Sequence, residues 1–183
     1  MTLVPFALKP FPDERSLPPI AIAGAIGRCV ETLTVRFEIR GDLSALAIPP
    51  RADAPERRNR LWEGTCLELF VGAAGSPDYR EFNLSPAGHW NAYRFASYRE
   101  GMREETGFAT LPFDVRTEPG ALRLLLDTDI GRVVPRDRDA DIGVCAVVRT
   151  KGGATSHWAL AHPGPRPDFH RRDGFLLKIP ASS

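Results

Sequence analysis

Short apolar runs, cut every few residues by proline or glycine, constrain this chain more than any other feature. With 17 prolines and 16 glycines spread over 183 residues, almost no window is long enough for an uninterrupted helix, and no sustained 3.6-residue periodicity is present. Segments of four to ten residues alternate apolar and polar side chains instead. ETLTVRFEIR (residues 31–40) is the clearest, with Leu33, Val35, Phe37 and Ile39 on one face and Thr34, Arg36, Glu38 and Arg40 on the other. Ten or more such strands with turn residues between them predict an all-β fold. We expect an antiparallel β-sandwich of jelly-roll or immunoglobulin-like type, as a single domain over residues 1–183.

The order of elements follows from the same punctuation. Val4 to Leu8 reads as an edge strand because Pro5 and Pro10 limit its pairing, and after the loop FPDERSLPP the run Ile20 to Ile26 is too mixed to assign. Leu43 to Ile48 is expected to continue the sheet, and PPRADAPERRNR to form a polar loop. Tyr79 to Ser85 and His89 to Tyr98 read as a hairpin, and Arg99 to Thr106 as a loop or one helical turn. Phe108 to Arg116 and Ala121 to Asp127 form a second pair. Ile142 to Thr150, Ser156 to Ala161 and Gly174 to Ile179 are expected to close the sheet, separated by the irregular HPGPRPDFHRRD.

The central segment is LWEGTCLELFVG (residues 61–72). Its parity puts Thr65, Leu67, Leu69 and Val71 on one face and Cys66, Glu68 and Phe70 on the other, so both faces are largely apolar and a covered strand is expected. A carboxylate in its middle must be paired, protonated, or turned toward a groove that a ligand fills. Glu68 therefore decides between a binding site and a structural salt bridge. The arginines available for such a bridge are Arg94 and Arg149, and Asn83 is the other polar residue embedded in a strand.

Trp62, Trp90 and Trp158 each stand beside polar groups in a strand or at its rim. A flat ring next to a carboxylate and an amide suits a sugar, covering the pyranose face while the polar groups bond to hydroxyls. Packing in the core is the alternative for each. Trp90 and Tyr93 have opposite parity, so only one of them reaches a groove. His162 and His170 flank a proline-rich loop at a spacing that could ligate a metal or haem iron, with Met102 as the opposite haem ligand. No metalloprotease, c-type haem, nucleophile-elbow, phosphate-loop or dinucleotide motif is present. Glu68 and Glu81 are the carboxylates that a glycoside hydrolase would need facing each other.

A net charge of +1 predicts neither a nucleic-acid footprint nor attraction to an anionic membrane. Three widely spaced cysteines, Cys29, Cys66 and Cys145, predict buried reduced thiols. The N-terminus lacks a basic start and an apolar core, so a soluble cytoplasmic protein is expected.

LWEGTCLELFVG, followed by YREFNLSPAGHWNAYRFASYREGM and later by HWALAHPGPRPDFHRRDGFLLKI, resembles DOMON-like proteins, in particular the bacterial branch related to family-9 carbohydrate-binding modules. The resemblance implies a β-sandwich with a ligand groove on one sheet, binding sugars in the carbohydrate modules and haem in some other DOMON domains. It implies a sugar site with Trp62 before the central strand, Glu68 within it, Trp158 as a second wall, and Asn83 and Arg94 on the following hairpin. The chain departs from it in two ways: such modules are usually appended to a catalytic domain, and Met102 lies in a charged loop. The expectation is a non-catalytic domain, without a cofactor, that binds a carbohydrate or related polyhydroxylated molecule through Trp62, Glu68, Asn83, Trp90, Arg94 and Trp158. A haem or metal protein using Met102, His162 or His170 is one alternative, and a partner-binding sandwich with a closed groove is another.

Overall fold

The computed structural model describes residues 2–12, 14 and 17–181; Asp13, Arg15 and Ser16 of the FPDERSLPP loop lie outside the described residues. Within them the chain forms twelve strands: β1 Val4–Pro10, β2 Ile20–Cys29, β3 Thr32–Gly41, β4 Cys66–Ala73, β5 Tyr79–Leu84, β6 Trp90–Phe95, β7 Arg103–Glu104, β8 Phe113–Glu118, β9 Ala121–Asp129, β10 Ala140–Arg149, β11 Thr155–Ala159 and β12 Leu177–Ile179. The pairings between these strands are all antiparallel, along the path β7-β6-β5-β4-β10-β11-β1-β2-β3-β9-β8, with β12 added beside β10. The all-β, sandwich-like fold expected from the sequence is the fold observed.

The path curls into two layers because β1 changes partners along its length. Val4 to Leu8 pair with β2, while Lys9 and Pro10 pair with β11. Each half of β1 is thus the edge of one layer, which accommodates two prolines in a strand that joins both sheets. Between the layers, Leu67, Leu69 and Val71 of β4 and Phe82 and Leu84 of β5 pack in one core with Val35, Phe37, Leu124 and Leu126. Burial of each such side chain contributes about 1.5–3 kcal/mol.

Several local expectations change. Leu43 to Ile48 is not a strand: Asp42 accepts a hydrogen bond from the Ser44 amide, capping a single 3-10 turn over Leu43–Ala45, and only Leu46 bridges to Thr150. Residues 20–29, unassigned from sequence, form a full strand whose outward positions are alanines and glycines. Gly24, which shares the inward parity of Ile22 and Ile26, is required because a Cβ would lie 1.9 Å from the Arg36 carbonyl oxygen and 2.5 Å from Phe6 Cζ. Arg103–Glu104 pairs with Tyr93 and Arg94 and so extends the sheet where a loop or helical turn was expected. The second hairpin begins only at Phe113. Cys29 is exposed at the end of β2, unlike the buried Cys66 and Cys145, and all three thiols are free.

A second apolar layer covers the outer face of the β4 sheet. Phe70, Tyr79, Phe95, Cys145 and Phe175 pack there, with Trp62 and Phe169 against them. The cover comes from the irregular segment between β11 and β12. It is held by Phe175, whose ring lies over Gly143 of β10, and by Arg172, which donates to the Ala73 carbonyl at 3.1 Å. This explains why β4 is apolar on both faces.

Candidate functional site

The outer cover is incomplete above the middle of β4, where it leaves a cavity of about 320 Å³ lined by Trp62, Glu68, Phe70, Glu81, Phe95, Arg99, Met102, Val147, His157, Pro167, Phe169 and His170. That volume is at the lower end of small-molecule sites. The floor is sheet: Glu68 and Phe70 from β4, Glu81 from β5, Phe95 from β6, Val147 from β10 and His157 from β11. The walls are loops.

One wall is the 3-10 turn Leu61–Glu63 that carries Trp62, whose ring meets Tyr93 edge-on at 5.7 Å. The polar loop before it is anchored to β6. Asn91 donates to Asn59 Oδ1 at 2.8 Å and accepts from Arg57 at 2.7 Å, and the Tyr93 hydroxyl donates to Asn59 Oδ1 at 2.8 Å. The opposite wall is a clasp between two loops. Asp168 accepts from the Tyr98 hydroxyl at 2.5 Å and from Arg99 at 2.8 Å, joining the turn after β6 to the segment that presents Phe169 and His170. Those two bonds outweigh the effect of burial and hold the Asp168 carboxyl below its ordinary range.

The tautomer of His170 follows from its neighbours. The Arg99 amide donates to the Tyr79 oxygen at 3.2 Å, so the Tyr79 hydroxyl proton is directed to His170 Nδ1 at 2.9 Å. Burial, reinforced by Arg99, lowers His170 to about 4, which keeps the ring neutral with its proton on Nε2. That nitrogen lies 3.8 Å from Glu81 Oε2.

The two carboxylates are the unusual feature. Glu68 is 3% exposed and Glu81 4%. Glu68 pairs across the ladder with Asn83, and Glu81 with Phe70, which makes the acids diagonal neighbours on one sheet face. Asn83 donates to Glu81 Oε1 at 2.7 Å. Glu68 Oε1 is buried without a hydrogen-bond partner. Burial raises Glu81 from 4.5 to about 7 against the opposing effects of Asn83 and Arg99. Burial, and then the charge of Glu81, push Glu68 well above its usual range. Burial and the nearby Glu68 also raise the thiols of Cys66 and Cys145 well above their usual range, which makes them poor nucleophiles.

Of the residues expected at a site, Trp62 and Glu68 lie together on the cavity, and Asn83 stands beneath it, positioning Glu81. Trp90, Arg94 and Trp158 are elsewhere. Strand alternation turns Trp90 and Trp158 into the core between the layers, where Trp158 donates to Ser156 Oγ and Trp90 is covered by Arg57 at 4.3 Å. Arg94 shares that inner face, directly across from Arg80. Tyr93, not Trp90, has the outward parity. Among the described residues no salt bridge links Glu68 to an arginine: Arg149 donates to the Glu63 carbonyl instead, and Arg94 is on the opposite face. Sequence reasoning did not pick out Phe169, Arg99 or His157 as cavity residues. His157 is held by Glu14, 2.7 Å from its Nδ1.

The metal and haem alternatives fare unequally. Met102 and His170 line the cavity, whereas His162 is remote, bonded to the Lys9 carbonyl and resting on Phe11. His170 has Nδ1 occupied by Tyr79, and the 3.8 Å between its Nε2 and Glu81 does not admit a porphyrin plane, so the residues present do not fit haem. No group of three or more metal-ligating side chains occurs among the described residues.

No protein-family model matches the chain, and no curated protein is significantly similar to it. Solved structures do resemble it. A proposed carbohydrate-binding protein from Bacteroides uniformis superposes with a TM-score of 0.64 at 15% identity, covering 94% of this chain and 84% of that one. A family-9 carbohydrate-binding module from Caldicellulosiruptor kristjanssonii, solved with glucose, gives a TM-score of 0.52 at 9% identity over 91% and 78% of the two chains. At these identities the likeness is one of fold.

Proposed function

We propose that the protein is a non-catalytic receptor for a monosaccharide-sized carbohydrate, bound in the cavity above β4. The observation that carries this reading is the Glu68 carboxylate, buried with one oxygen unbonded, on the floor of a cavity walled by Trp62 and Phe169. An unbonded buried acceptor costs about 1–3 kcal/mol, and a ligand hydroxyl donating to it recovers that loss. The aromatic walls offer apolar surface to a pyranose ring while Glu68 and Glu81 accept from its hydroxyls. The fold shared with a module solved with glucose supports the same reading.

The presence of two carboxylates favours a glycoside hydrolase as a second reading. Hydrolysis needs the acids to flank the scissile bond from different sides. Glu68 and Glu81 project from adjacent strands of one sheet face, so both meet a ligand from below. That placement suits holding a sugar better than cleaving one.

The test is titration with a panel of mono- and oligosaccharides, followed by tryptophan fluorescence and calorimetry. Quenching by at least one sugar, lost in Trp62→Ala, is expected. No response to any sugar at millimolar concentration overturns the reading, and release of product from aryl glycosides would replace it with the hydrolase.

A further inference from the structure

Resting on the sugar-site reading above, we infer that the preferred ligand is an aminohexose, whose protonated amine is received between Glu68 and Glu81. The floor of the cavity has acceptors in excess. Glu68 Oε1 is buried without a partner, and Glu81 directs Oε2 toward a single ring nitrogen that, at 3.8 Å, is beyond hydrogen-bonding distance. Neutral hexose hydroxyls each bring a donor and an acceptor. An ammonium brings three donors and no acceptor, which matches a floor of carboxylate oxygens.

Charge leads to the same ligand. The positive groups near the cavity are already committed: Arg99 is paired with Asp168 at 2.8 Å, and His170 accepts from Tyr79 and is neutral. Among the described residues neither carboxylate is ion-paired to an arginine or lysine, although the Arg99 charge reaches Glu81 across the cavity. They can remain there protonated, or ionised against a cation that the ligand supplies. Trp62 and Phe169 add aromatic faces to the same space, which favour a cation further.

The experiment compares glucose, the 2-, 3- and 6-amino analogues of glucose, and their N-acetyl counterparts by calorimetry at pH 7. At least one aminohexose is expected to bind about tenfold or more tightly than glucose, the gain from charge-assisted hydrogen bonds, and acetylation of that amine should abolish the gain. Glu68→Gln and Glu81→Gln should each bring the ratio of aminohexose to glucose affinity toward one. Glucose binding with no gain for any amine overturns this inference and leaves the sugar receptor standing. If putrescine competes as well as the best aminohexose, the site reads an amine rather than a ring, and the inference also fails. No binding by any of the sugars overturns both.

Discussion

Glu68 on β4 and Glu81 on β5 are diagonal neighbours on one sheet face, each less than 5% exposed, while Arg99 on the same cavity is committed to Asp168. This relationship makes stability depend on pH in a direction that can be worked out. The Glu81 carboxyl, lifted to about 7 by burial, would lose its proton near 4.5 in the unfolded chain. Between those values the folded state holds a proton that the unfolded state has shed, so stability falls as pH rises, and the loss is complete above about 7. Glu81→Gln keeps the acceptor for Asn83 and removes the titration. Its stability relative to wild type should increase from pH 4.5 to 7 and then level off in urea unfolding. A difference independent of pH would refute the assignment.

His170 contributes the opposite slope. Its ring is held neutral down to about 4, whereas the unfolded ring protonates near 6.5. Stability from this group is present above 6.5 and is lost as pH falls toward 4, because the unfolded state then binds the extra proton. His170→Gln should be less acid-sensitive than wild type over that window. The Glu81 and His170 effects oppose each other between about 4.5 and 6.5. Each is therefore best measured as the difference between a variant and wild type.

Asp168 joins the two loops that wall the cavity, and its role is separable from global stability. Its partners Tyr98 and Arg99 are both about half exposed. Exposed ion pairs contribute only about 0–1 kcal/mol, so Asp168→Asn should lower the unfolding free energy little. It should nevertheless accelerate amide exchange in residues 160–175 and weaken sugar binding, since Phe169 and His170 depend on that clasp. Unchanged exchange in the segment would show that the clasp does not hold it.

Gly143 supports the same cover from below. A Cβ there would lie 2.9 Å from Cδ1 of Phe175, whose ring is buried against Phe70. Gly143→Ala is expected to cost about 1–3 kcal/mol through overpacking. Phe175→Leu costs less than full truncation and relieves the clash. The double variant should therefore be more stable than the sum of the single changes, by thermal and urea unfolding. Strict additivity would mean that the two positions do not press on each other.

Alternation made most of this fold legible, because strand parity is local: Leu33 to Ile39, Leu67 to Val71 and Tyr79 to Leu84 face as their spacing implies. Glu68 was legible as a carboxylate on a covered strand. Its proximity to Glu81 was not, since that depends on the register between β4 and β5, which no single strand encodes. Trp90, Arg94 and Trp158 lie on the inner face, away from this cavity, for a different reason. Parity separates two faces without saying which one is the groove. Phe169 and His170 lie in HPGPRPDFHRRD, whose prolines erase any period, so only the folded chain shows what that segment covers. Ile20 to Ile26 resists assignment because Gly24 interrupts the inward isoleucines and alanines fill the alternate positions, so no polar face appears.

The tryptophans offer the last and clearest discrimination, because the family resemblance implies that Trp62 and Trp158 wall one site and the structure separates them. Trp158 is 4% exposed in the core between the layers, with its indole N–H satisfied by Ser156. Truncation to alanine there should cost about 3–5 kcal/mol through lost burial and a cavity. Trp62 is only partly buried on the outer cover, touching Tyr93 edge-on and lining the cavity. Its loss removes less packing but a whole wall from the ligand. Trp62→Ala should thus unfold at nearly the wild-type urea concentration and lose sugar-dependent quenching. Trp158→Phe, which retains most of the apolar volume, should fold with reduced stability and keep the response. If Trp158→Phe abolishes binding in a folded protein while Trp62→Ala spares it, the groove is not the cavity above β4.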